Sequence, residues 1–163
     1  MKTILNVRWA IIINLMLIML PTTLRAQAHS KNEEIFAAIP KESRAQLIER
    51  LNLYVSYQRT ADYDKLYDLY SEKTIKRIFN GQNKTEFSAA FKKGDEERKS
   101  VRMLEFKPTS IEKSADDGLE FYKIHGEATV LQQGEIVKKD VLVEAYPKDG
   151  NWYFSPIVTV QSD

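Results

Sequence analysis

The sequence predicts an α+β fold, with helices first and an antiparallel sheet after them. Between Pro40 and Phe91, apolar residues recur at three- and four-residue spacing, the period of one helix face. From Val101 onward the period falls to two, and three short turn sequences cut that half into four strands. Helices and strands segregated along the chain, rather than alternating, mark α+β.

The 163-residue chain opens MKTILNVRWAIIINLMLIMLPTTLRAQAHS. Lys2 and Arg8 precede an apolar run from Trp9 to Leu20. Pro21 breaks the run, and Ala26-Gln27-Ala28 supplies small residues before a cut. That is the layout of a cleaved secretory signal over residues 1–28, with a single domain over 29–163. The run is short of the ~20 residues a membrane span needs. An uncleaved anchor is the competing reading; after cleavage no membrane attachment is expected. A bacterial periplasmic or secreted location follows, because an exported chain without cysteine does not rest on disulfides.

There are 24 basic and 23 acidic residues in all. Losing Lys2, Arg8 and Arg25 with the signal leaves the exported part slightly acidic, which argues against nucleic acid as a partner. Lack of cysteine excludes disulfides, thiol chemistry and lipidation at cysteine.

Pro40 suits the first turn of a helix. Leu47, Ile48, Leu51, Tyr54 and Val55 make its apolar face as far as Tyr57 or Gln58. After a connector at Arg59-Thr60-Ala61, Asp62 is a candidate N-cap for a second helix striped by Tyr63, Leu66, Tyr67 and Tyr70. Ser71 caps a short third helix through Ile75 and Phe79, stopped at Asn80-Gly81. Asn83 and Glu86 form a capping box for a fourth, with Phe87, Ala90 and Phe91 on its apolar side and Gly94 at its end. The mixed-sign stretch from Lys92 to Ser100 reads as a solvated helix end and linker.

The turns Asp116-Asp117-Gly118, Gln133-Gly134 and Asp149-Gly150-Asn151 have hairpin chemistry. They delimit strands near 101–113, 119–132, 135–147 and 151–161. Pro108 and Pro156 predict edges or bends in the outer two. In FYKIHGEATVL, Tyr122, Ile124, Gly126, Ala128 and Val130 share one face. Phe121, Lys123, His125, Glu127 and Thr129 share the other, so His125 belongs on the outer face.

The run YVSYQRTADYDKLYDLYS, Tyr54 to Ser71, resembles the first helix, aspartate turn and second helix of the nuclear transport factor 2-like superfamily. DGNWYF, Asp149 to Phe154, resembles that superfamily's final strand. The resemblance covers about Glu42 to Val160. It implies helices packed in the concave face of a curved four-stranded antiparallel sheet, a cone-shaped cystatin-like roll with a pocket at its open end. Members range from ketosteroid isomerase and polyketide cyclases to binding and assembly proteins, so fold alone does not choose a function.

The isomerase pairs a carboxylate base with a tyrosine-containing oxyanion hole. By resemblance Tyr54 stands at that tyrosine's position. The base, which follows the second helix, is missing: SEKTIKRIFNGQN holds no carboxylate after Glu72. Metal and cofactor patterns are absent too, since Asp62, Asp64 and Asp68 lack the glycine and distal glutamate of a calcium loop.

Three readings stay open. The first is an exported, non-catalytic domain that binds a small apolar ligand in a pocket lined by Tyr54, Tyr57, Phe91, Tyr122 and Trp152, although these rings could equally be filled core. The second is a small lyase, isomerase or cyclase acting on a hydrophobic carbonyl compound. The third is a protein partner or homodimer joined through the outer sheet face around Phe121, Thr129 and Leu131.

Overall fold

A computed structural model describes residues 34–159; the signal-like segment lies outside them. Among the described residues, the helices α1 Lys41–Thr60, α2 Tyr63–Tyr67, α3 Glu72–Arg77 and α4 Lys84–Glu96 precede the sheet. Strands β1 Val101–Asp116, β2 Leu119–Gln132, β3 Glu135–Lys148 and β4 Asn151–Phe154 follow, in that spatial order and all antiparallel. A two-residue β5, Val158–Thr159, pairs with β3 beyond β4. The architecture is α+β with an open antiparallel sheet.

Local chemistry sets the helix boundaries. Pro40 sits just before the first turn of α1. Asp62 accepts the Lys65 backbone N–H, and Ser71 accepts that of Thr74 at 3.0 Å. Asn83 and Glu86 close a reciprocal capping box, both bonds at 3.0 Å, satisfying two N–H groups that α4 leaves orphaned. α1 runs two residues into the expected connector, to Thr60, and is capped by Ala61 in the left-handed region, φ 55°.

α2 is shorter than its tyrosine stripe implies. Tyr70 has left the helix and bridges Phe154 in parallel. Leu69 C=O accepts from Phe154 N–H at 2.8 Å, and Ser71 N–H donates to Phe154 C=O at 3.2 Å. The β4 backbone thus recruits the segment after α2, and sheet pairing overrides helical spacing there.

All three tight turns place two consecutive residues at positive φ: Asp117-Gly118, Gln133-Gly134 and Asp149-Gly150. That is the backbone hand that matches twisted hairpin strands. β1 carries register shifts at Met103/Glu105 and Pro108/Ser110. The last strand does not run through to 161. It breaks after Phe154, and pairing with β3 resumes one residue out of register at Val158. Pro156 lies in the break, where it has no N–H to give a ladder. Ser155 bridges it: its N–H donates to Glu144 C=O at 3.0 Å, and its Oγ accepts Glu144 N–H at 3.2 Å.

Alternation along β2 follows the sequence reading. Tyr122, Ile124, Gly126, Ala128 and Val130 are buried, and His125 is half-exposed with Nε2 3.7 Å from Glu112. Phe121, on the outer face, is nonetheless buried, stacked on Tyr146 at 5.3 Å. The inward residues share one hydrophobic core with Leu47, Leu51 and Tyr54 of α1, Leu66 of α2 and Phe87 of α4.

Candidate functional site

α1 presents Leu47, Leu51, Tyr54 and Gln58 as its buried side. Gln58 is the one amide on an otherwise apolar and aromatic stripe. Its Oε1 accepts Met103 N–H of β1 at 3.0 Å. Its Nε2 is buried with no hydrogen-bond partner, although it lies close enough to the Tyr54 hydroxyl to pull that phenol's pKa downward. Burial and the neighbouring Tyr70 outweigh this and raise the Tyr54 pKa well above its ordinary value. The Tyr54 hydroxyl donates to Ser155 C=O at 2.8 Å.

Gln58 borders a cavity of about 260 Å³ whose walls come from α1, α2, α4, the start of β1 and the Pro156–Ile157 break. Leu66, Phe91, Val101 and Ile157 supply apolar surface. Tyr63, Ser100 and Arg102 supply polar surface, and Asp95 in the last turn of α4 holds these three together. Asp95 accepts from the hydroxyls of Tyr63 and Ser100, and Arg102 Nε stands 3.4 Å from it. Arg102 Nε is buried, and its approach to Asp95 lacks hydrogen-bond geometry. Burial first, then the bond to Asp95, pushes the Tyr63 pKa far up. Asp95 is therefore an occupied acceptor, tied to two hydroxyls and one guanidinium, rather than a carboxylate poised to take a proton.

The five rings named from sequence fall in different places. Phe91 lines this cavity, its ring 4.4 Å from Phe87 and 5.2 Å from Tyr63. Tyr54 is wholly buried one turn from Gln58, against Phe154 at 4.9 Å and Tyr70 at 6.0 Å. Tyr122 and Trp152 form a buried edge-on pair at 5.5 Å in the core. Tyr57 is half-buried, with Lys65 Nζ over its ring at 5.5 Å.

Gln58, Tyr63, Asp95 and Arg102 were not among the residues singled out. Gln58 carried a usable signal, as a polar residue in phase with Leu47, Leu51 and Tyr54. Asp95 carried none: it lies in the charged stretch read as solvated, and Tyr63 is 32 positions away.

In SEKTIKRIFNGQN the one carboxylate, Glu72, is exposed and paired with Lys148 at 3.0 Å. The three aspartates in and around α2 diverge. Asp62 pairs with Lys65 at 2.8 Å, Asp64 accepts from Ser88 at 2.5 Å, and Asp68 pairs with Lys84 at 2.7 Å. Among the described residues no group of three histidines or carboxylates gathers to hold a metal ion, and no helix is long and apolar enough to cross a membrane. Compared with protein-family models, with curated proteins and with solved structures, the chain matches none.

Proposed function

We propose that this is a binding domain that holds a small, mostly apolar molecule in the cavity between α1, α2, α4 and β1, without turning it over. The reading places it in an exported protein, with the helices in the hollow of a curved sheet as in the nuclear transport factor 2-like superfamily. The observation that carries the proposal is the cavity's asymmetry. Its lining is apolar at Leu66, Phe91 and Ile157 and polar at Tyr63, Ser100 and Gln58, a buried amide whose N–H group has no partner. A buried donor left unpaired costs about 1–3 kcal/mol, and a ligand oxygen that displaces the side chains covering it would recover it. The volume, about 260 Å³, suits a molecule around the size of a substituted benzene ring.

Binding rather than catalysis is favoured because the groups a proton transfer would use are already engaged. Tyr54 gives its hydrogen to Ser155 C=O. Asp95 receives those of Tyr63 and Ser100. The cavity is also favoured over the outer sheet face as the working surface. That face carries cross-strand pairs such as Lys123–Glu112 at 3.7 Å, which suit contact with water.

Native mass spectrometry of the protein purified from its own source tests the proposal. The expected result is a retained small molecule that is lost in Ile157→Trp, a substitution that fills the cavity while the protein stays folded. Ligand-free protein from both, or equal retention by the two, would count against it.

A further inference from the structure

A second concavity lies at the other end of the sheet, between α3 and the β1–β2 and β3–β4 turns, and encloses about 620 Å³. It shares Tyr70 with the cavity described above and no other lining residue. We infer that this groove is a binding site for a neutral saccharide.

The charge balance is the first ground. Lys73, Lys76 and Lys148 line the groove with Glu72, Glu120 and Asp149. Cations and anions are equal in number, so an anionic or cationic ligand gains no net field there. A wholly apolar ligand would strip water from charged groups without replacing their hydrogen bonds. Glu72 pairs with Lys148 at 3.0 Å, Lys73 with Asp116 at 2.7 Å and Glu120 with Lys113 at 2.7 Å; a sugar hydroxyl both donates and accepts, and so can bridge such pairs without breaking their charge balance.

The aromatic platforms are the second ground. Tyr146 and Tyr153 line the groove, and both are half-buried. Tyr146 is stacked on Phe121, with ring centroids 5.3 Å apart and planes 22° from parallel. The Arg50 guanidinium lies 5.7 Å over the Tyr153 ring, while its Nε is fixed to Trp152 C=O at 3.1 Å. Both rings are thus held in place before any ligand arrives, which lowers the ordering cost of binding. An aromatic side chain offers an apolar body with a polar tip, suited to the C–H face and hydroxyl rim of a pyranose. Leu119, 53 % exposed, continues the apolar strip at the groove's edge. The volume falls within the ~300–1,000 Å³ typical of ligand sites.

Titration of the ¹⁵N-labelled protein with cellotriose, maltotriose, chitotriose and, as an anionic counterpart, trigalacturonate tests the inference. At least one neutral trisaccharide should shift the amides of Leu119, Glu120, Lys148 and Tyr153, with a dissociation constant of about 1 mM. Tyr153→Ala and the surface variant Lys76→Ala should each weaken it, and trigalacturonate should bind no more tightly than the best neutral sugar. The inference is overturned if none of the three neutral sugars shifts groove amides, if the shifts survive both substitutions in folded protein, or if trigalacturonate binds more tightly. Loss of the small-ligand cavity in Ile157→Trp should leave sugar binding unchanged, so the two sites fail or stand separately.

Discussion

The Tyr54 hydroxyl donates to the carbonyl of Ser155 at 2.8 Å, tying α1 to a residue 101 positions away. Ser155 is in turn bonded to Glu144 of β3 through both its N–H and its Oγ. The bond therefore pins the break between β4 and β5, and with it the Pro156–Ile157 wall of the cavity.

Removing that hydroxyl in Tyr54→Phe leaves a buried carbonyl without its donor. The expected loss is about 1–3 kcal/mol of stability, read as a lower urea midpoint with an unchanged slope. A midpoint within error of wild type would mean that water or another donor replaces the phenol.

Gly126 faces the Phe106 ring and the Lys107 carbonyl of the neighbouring strand. A Cβ built there would lie 2.5 Å from Lys107 O and 2.5 Å from Phe106 Cε2. The backbone oxygen cannot yield as a side-chain tip could, so Gly126→Ala is expected to cost about 1–3 kcal/mol from overpacking. Calorimetry should show a lower Tm that trimming Phe106 to Leu does not restore.

Ala61 ends α1 at φ 55°, a conformation that glycine adopts without the Cβ penalty. Relieving the left-handed conformation gains about 1–2 kcal/mol and glycine's extra chain entropy takes back about 0.5–1 kcal/mol, so Ala61→Gly is expected to stabilise the protein by about 0.5–1 kcal/mol. A higher urea midpoint checks it; a lower one would show that the Ala61 methyl, packed against the core, contributes more than the backbone strain removes.

Four of the eight tyrosines, Tyr54, Tyr63, Tyr70 and Tyr146, have pKa values raised by burial as the largest cause. A phenol in the unfolded chain ionises near ~10. The folded state keeps these protons above that pH and the unfolded state does not. Their contribution to stability is therefore present below ~10 and is lost as pH rises from there toward the raised folded values. Phenolate absorbance should rise near pH 10 by less than eight tyrosines' worth, with the remainder appearing as the protein unfolds. Full ionisation of all eight in folded protein would contradict the burial of these four.

What was legible in the sequence was local. The Asn83–Glu86 box, the Ser71 cap and the paired positive-φ turns each depend on residues within three positions of one another. Alternation in β2 was legible because one face is buried along most of its length. Tyr70 was misplaced on a helix because its spacing fits one, while its partner Phe154 lies far along the chain. The polar wall of the cavity was hidden for the same reason. Asp95 sits among exposed charges in sequence, and only the fold brings it to Tyr63 and Arg102.

Crystals soaked with acetophenone, which pairs an apolar ring with one acceptor oxygen, test the cavity most directly. The ring is predicted to lie against Leu66, Phe91 and Ile157, with its oxygen within hydrogen-bond reach of Gln58 Nε2. A cavity closed by side chains, or holding water alone at saturating acetophenone, would contradict ligand binding there.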